Sequence, residues 1–159
     1  MPNNLQAGRE PLDDVDRRLV EVLQRRGRLP NNALAEQVGV APSTCLTRLL
    51  SLVERGVVSG FHAEVHPAWV GRPIEAMIAV RLQAGARSTI AEFFDRVAAM
   101  EPVLNAYYLA GADDFALHVA TESTDALRAF VTDHLSTQPE VARTETNLIF
   151  AHRRGGARG

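Results

Sequence analysis

Near residue 72 the hydrophobic period of this chain changes, and no other feature limits the fold as much. Beyond that point "IEAMIAVRL" alternates strictly. Ile74, Ala76, Ile78, Val80 and Leu82 face one way, and Glu75, Met77, Ala79 and Arg81 face the other. This is the period of a strand buried on one side. Before that point apolar residues recur every three or four positions, as on a helix. A chain of 159 residues with two periods reads as two small units.

The first unit reads as three helices. "LDDVDRRLVEVLQRRGRLP" opens with acids and closes with arginines, which suits the polarity of a helix. Gly27 and Pro30 end it. Asn31 or Asn32 caps a second helix that buries Leu34, Ala35 and Val38. Gly39 then breaks the pattern, and Pro42 suits the first turn of a third helix running to about Arg55. Ala35, Gly39 and Cys45 have the spacing of a helix-turn-helix: a small residue at the crossing, a glycine for a left-handed turn, and an inward apolar residue. "VVSGFHAEVHP" follows as a wing, read either as a hairpin or as an extended segment.

The second unit continues from the alternating strand. "STIAEFFDRVAAM" is helical, with Ser88 as its cap and Ile90, Phe93, Phe94 and Val97 as its stripe. "VLNAYYLA" and "FALHVAT" read as strands on either side of "GADD". "STDALRAFVTDHLS" is a second helix with Leu127, Phe130, Val131 and Leu135 inward, and "EVARTETNLIFAH" holds a last strand. The order β-α-β-β-α-β is that of a ferredoxin-like split unit, so the fold class is α+β. Both helices occupy one sheet face. The other carries Ala79, Ala116 and Ala120 with Met77 and His118, and a second copy is the economical cover for it.

Totals narrow the function. No apolar run is long enough for a membrane span, and the one cysteine, Cys45, excludes an intrachain disulfide. No Cys/His set has zinc spacing. The formal net charge is -2 and every basic residue is arginine. Residues 1–66 hold 8 Arg against 8 acids, and the rest hold 9 against 11. Any binding of nucleic acid must come from local geometry, because overall charge does not supply it.

Several segments, in order, resemble the Lrp/AsnC family of feast/famine regulators. They are "LDDVDRRLVEVLQRRGR", "LAEQVGV" with Arg48, "LVERGVVSGFHAEVHPAWVG" and the loop "LAGADDFALHV". The resemblance spans about residues 12 to 151. It implies a winged helix-turn-helix that binds double-stranded DNA, followed by a ferredoxin-like βαββαβ domain that senses an amino acid and oligomerises. Dimers, commonly assembled to octamers, are implied, in a cytoplasmic, nucleoid-associated, non-enzymatic protein without a cofactor. The boundaries follow: a loose N-terminus over 1–11, the DNA-binding domain over 12–60, a linker over 61–72, the effector domain over 73–152, and a tail over 153–159. Some positions depart from the family pattern. Ala41 stands where serine is usual, Cys45 where a β-branched residue is, and Leu46, Leu50 and Val53 where polar residues are common. That stripe has two open occupants, a neighbouring segment or thymine methyl groups.

A recognition helix enters the major groove by its N-terminal part. Ser43, Thr44 and Thr47 supply short hydroxyls there, and Arg48 reaches a phosphate or a guanine. The plainer reading makes Ser43 and Thr44 caps and Arg48 a surface charge. Arg25, Arg26 and Arg28 read as a solvated helix end and as candidates for the phosphate backbone. In the loop Leu109, Ala110, Gly111, Ala112, Asp113 and Asp114, backbone N–H groups suit an effector carboxylate, and Asp114 or Asp113 suits its ammonium. The plainer reading is a polar turn. By the resemblance, Thr144 and Thr146 line the same pocket. Tyr107 and Tyr108 read as core or interface aromatics. His62, His66 and His118 read as structural. His62 and His66 also admit an enzymatic alternative, because siroheme decarboxylases resemble the same two-domain scaffold. A third alternative is an architectural DNA-binding protein without an effector.

Overall fold

The computed structural model describes residues 11–86 and 89–153. Most of the termini expected to be loose, and Ser88 with its expected capping role, lie outside the described residues. The chain divides into two compact units, one reaching residue 64 and the other spanning 65–153.

In the first unit α1 spans Asp14–Arg26, α2 Asn31–Val38 and α3 Pro42–Glu54. The Asp13 carboxylate caps α1 by accepting the Asp16 N–H at 2.8 Å. Gly27, at φ 59°, ends the helix. Gly39 sits at φ 79°, where only glycine is unstrained, and its N–H donates to the Ala35 carbonyl at 2.8 Å. That single turn sets α3 across α2. Leu19, Leu34, Ala35, Val38, Cys45 and Leu52 fill the space between the helices and are almost wholly buried.

Local capping differs from the sequence expectation. Pro30, not an asparagine, precedes α2, and Asn31 is its first helical residue. The Asn31 amide instead donates across the turn to the Pro42 carbonyl at 2.8 Å, joining the starts of α2 and α3. Ser43 does not cap α3 either; Ala41 holds that position and offers no side-chain acceptor. Residues 57–66 carry no strand, so the hairpin reading of the wing does not describe them. The N–H groups of Val57 and Val58 both point to the Leu52 carbonyl, at 2.9 and 3.1 Å, which binds this segment to the end of α3.

In the second unit a short 3-10 turn, Pro67–Val70, precedes β1 (Ile74–Leu82). Trp69 in that turn is 88% exposed. Then come α4 (Ile90–Ala98), β2 (Val103–Tyr108), β3 (Phe115–Thr121), α5 (Thr124–Val131) and β4 (Val141–Leu148). The sheet order is β2-β3-β1-β4 and each neighbouring pair is antiparallel. This is the split βαβ arrangement that the alternation implied. Ala76, Ile78, Val80 and Leu82 of β1 pack with Phe93, Val97, Phe115, Leu117, Leu127 and Phe130 in one core. Ser123 caps α5, accepting the Ala126 N–H at 3.1 Å. The helix then widens into a π turn over Thr132–Ser136. Phe130 and Leu135 are five residues apart, and the wider turn lets both reach the core.

Candidate functional site

The exposed end of α3 is the candidate nucleic-acid surface. Ser43, Thr44 and Thr47 are all exposed, as a surface-reading role requires. The Thr47 hydroxyl donates to the Ser43 carbonyl at 3.0 Å, so its hydrogen is used within the helix. With no side chain capping the helix, the Ser43 and Thr44 N–H groups are left without a partner inside it.

Arg48 is placed otherwise than expected. Its Nη1 donates to the Asp13 carboxylate and, at 3.1 Å, to Asp16 Oδ1. Asp16 is buried and also accepts from Arg55 Nη1 at 3.3 Å. Arg48 thus ties α3 to the start of α1 and does not stand out toward a groove. The cause is plain: a carboxylate buried in the helix crossing needs positive partners, and Arg48 on α3 and Arg55 just past its end supply two. The Asp16 N–H bond, with help from Arg48, holds the Asp13 carboxyl below its usual range. Asp13, followed by Asp16, raises the Arg48 guanidinium further above its already high value. Cys45 lies beneath this end, fully buried, and burial pushes its thiol up. Arg26 and Arg28 border an open groove of about 790 Å³ between the end of α1 and the extended segment 57–64.

The second candidate is a cleft of about 390 Å³ at one end of the sheet, lined among others by Arg81, Gln83, Gly111, Ala112, Asp114 and Ala142. Three of the six expected loop residues, Gly111, Ala112 and Asp114, face it; Leu109, Ala110 and Asp113 do not line it. The loop closes through the Leu109 N–H, which donates to the Asp114 carbonyl at 2.8 Å. Asp114 then grips β1 twice. Its N–H donates to the Val80 carbonyl at 3.0 Å, and its Oδ2 accepts the Leu82 N–H at 2.7 Å. The carboxylate continues the ladder where β1 and β4 lose register between Arg81 and Leu82. Asp114 is therefore structural with one oxygen, while among the described residues its Oδ1 accepts no hydrogen bond. A Cβ added to Gly111 would meet nothing within 4 Å, so the space above that backbone is open.

Arg81 escaped the sequence reading. It stands at the end of β1, lines the cleft, and among the described residues has no acidic partner. Its signal was available: it is the one cation in an otherwise apolar or acidic strand. Thr144 and Thr146 fall elsewhere. They sit opposite Val80 and Ile78 on β4, and the Thr144 hydroxyl meets that of Ser136 at 3.2 Å rather than the cleft. Of the aromatics, Tyr108 packs on Phe115, with ring centres 5.4 Å apart, and Tyr107 is half exposed.

Two of the three singled-out histidines have local hydrogen-bond partners, and His62 lines the open groove beside Arg26 and Arg28. His66 Nδ1 accepts the Ala68 N–H at 3.4 Å and caps the 3-10 turn. His118 Nε2 lies 3.0 Å from Glu75 and its Nδ1 lies 3.3 Å from the Asn105 amide. These groups occupy the helix-free sheet face with Met77, Ala79 and Ala116. Ala120, expected on that face as an exposed small residue, is fully buried within the chain itself.

Residues 12–53 match the AsnC-type helix-turn-helix domain, and residues 75–154 match the Lrp/AsnC ligand binding domain. The chain is 49% identical to the HTH-type transcriptional regulator AldR of Mycobacterium tuberculosis, over 92% of this chain and 82% of that one. The crystal structure of MtbAldR superposes with a TM-score of 0.78 at 42% identity, covering 93% of this chain and 100% of the other. A transcriptional regulator from Neisseria meningitidis, solved in complex with L-Met, gives a TM-score of 0.80 at 30% identity, covering 91% and 93%.

Proposed function

The chain belongs to the Lrp/AsnC family of transcriptional regulators, and from that premise we propose that it binds promoter DNA through α3 and is tuned by an amino acid held in the cleft beside Asp114. One observation carries the reading: a DNA-binding and a ligand-binding domain are matched in a single chain, and each contains a surface of fitting chemistry. On α3 the Ser43 and Thr44 hydroxyls and free N–H groups suit phosphate oxygens, with Thr47 beside them. In the cleft, Arg81 and the backbone at Gly111 and Ala112 suit a carboxylate, and Asp114 Oδ1 suits an ammonium. Asp113 and the remaining loop residues, Leu109 and Ala110, frame the turn; Thr144 and Thr146 act at most on a neighbouring copy. Dimers form through the helix-free sheet face, and an octamer is the preferred higher state by family resemblance. An amino acid acts by favouring one assembly over another, which requires that it bind the two unequally.

The test is a thermal-shift screen of the full-length protein against the twenty amino acids, followed by gel shifts with and without the best ligand. A ligand at a hundred times its Kd stabilises the folded state by about 2.7 kcal/mol, so a true effector stands out. A protein that no amino acid stabilises, or whose DNA occupancy ignores the one that does, contradicts the proposal.

A further inference from the structure

The outward face of α3 has an unusual chemistry for a helix that reads DNA. Ser43, Leu46, Thr47 and Leu50 follow the spacing i, i+3, i+4, i+7, so they share one face, and all four are exposed. Leu46 is 47% and Leu50 59% exposed. The opposite face carries buried Cys45 and Leu52.

Base edges are recognised by a short list of side chains. Arg or Lys forks onto guanine, Asn or Gln onto adenine, Glu or Asp accepts from cytosine, Ser or Thr hydroxyls bond to several edges, and apolar groups touch the thymine methyl. α3, with sequence PSTCLTRLLSLVE, contains no Lys, Asn or Gln. Its one cation, Arg48, is engaged by Asp13 and Asp16. The Thr47 hydroxyl hydrogen is engaged by the Ser43 carbonyl, which leaves its γ-methyl as the group the fold does not use. Beside the Ser43 and Thr44 hydroxyls, what remains for base contact on this face is two leucines and one methyl. They continue directly from the Ser43 end that meets phosphate, so the occupant of this face is the duplex. At 1.5 Å per residue, Leu46 and Leu50 lie about 6 and 12 Å along the axis from Pro42, within the span of a major groove about 12 Å wide.

We propose that Leu46, Thr47 and Leu50 are specificity-determining residues that read thymine methyl groups, so that the operator carries A·T pairs beneath the first turns of α3. This rests on the DNA-binding reading above. It adds a base class and assigns three side chains to it.

The experiment begins with selection of duplexes from a random library by the full-length protein, and then replaces thymine by uracil at each enriched A·T pair. Uracil keeps every hydrogen bond and removes only the methyl. Wild type is expected to lose about fourfold in affinity per methyl contact, while Leu46→Ala and Leu50→Ala each become indifferent to uracil at the pair that the removed side chain reads and stay sensitive at the others. Both substitutions are at exposed positions, and a circular dichroism melt confirms that the variants fold. Enriched duplexes that carry G·C pairs at these positions, or a wild type indifferent to uracil, overturn the inference and leave DNA binding intact. A library with no enriched duplex overturns both. A change of oligomeric state in Leu46→Glu or Leu50→Glu without DNA assigns the stripe to a protein contact and overturns the inference alone.

Discussion

Arg48 Nη1 lies 3.1 Å from Oδ1 of Asp16, a carboxylate buried where α1 crosses α3. Asp13 completes the cluster on one side and Arg55 on the other. The recognition helix is thereby fixed in position by charges that the DNA never needs to touch. Asp16→Ala removes the centre of this cluster and is expected to destabilise the first unit by about 1–3 kcal/mol, read as a shifted denaturant midpoint. Arg48→Met should lower DNA affinity evenly across sequences, because it loosens the helix without deleting a base contact. Relaxed preference at one base position would show instead that Arg48 leaves Asp16 to reach the duplex.

The same cluster has an acid limb. The Asp13 carboxyl is lowered by the Asp16 N–H and by Arg48, so its folded value lies below its unfolded one. Its contribution is therefore full above the ordinary aspartate range near pH 4 and is lost as pH falls through the folded value. Wild type and Asp13→Asn should differ in thermal midpoint at neutral pH and converge in acid. Parallel curves down to the acid limit would remove Asp13 from this account.

Asp114 separates into a structural and a ligand-binding oxygen. Asp114→Asn keeps an acceptor for the Leu82 N–H, whereas Asp114→Ala leaves that N–H unpaired. The alanine variant should lose about 1–2 kcal/mol of stability and the asparagine variant much less. Both should lose effector affinity by roughly tenfold to a hundredfold, the value of a charged hydrogen bond. Calorimetry with the amino acid found by screening decides; unchanged affinity in the asparagine variant would confine Asp114 to the turn.

The helix-free sheet face gives a prediction on assembly. Ala116 is partly exposed there and Ala120 is not, so only Ala116 is a clean probe. Ala116→Arg should lower the mass measured by light scattering while preserving far-ultraviolet dichroism. A wild-type monomer at micromolar concentration would refute the paired-sheet arrangement outright.

What the sequence revealed, and what it hid, follows from how far each interaction reaches. The alternation from Ile74 to Leu82 is a property of nine consecutive residues, and the structure buries that same side. Gly39 is equally local, because its φ of 79° strongly favours glycine without reference to anything distant. Arg48, read from its helical position as a phosphate or guanine contact, has carboxylate partners 32 and 35 residues earlier that no local pattern displays. Asn31 had a rival for its amide 11 residues on. Three of the six loop residues line the cleft, but Arg81, which lines it with them, comes from a strand 30 positions before Gly111 and is brought there only by the sheet. The π turn at Thr132–Ser136 satisfies two core contacts at once and leaves no local mark.

Trp69 is the only tryptophan of the chain and Cys45 its only thiol. The indole stands in water on the 3-10 turn of one unit, and the thiol lies fully buried in the core of the other. Each unit therefore comes with its own optical or chemical tag, and the two respond in opposite ways. Tryptophan emission should be red-shifted already in the native protein and change little on melting. Thiol labelling should be silent in the native protein and switch on as the helix-turn-helix opens. A melting curve taken by fluorescence alone would thus miss the loss of the DNA-binding unit, and a curve taken by labelling would see nothing else.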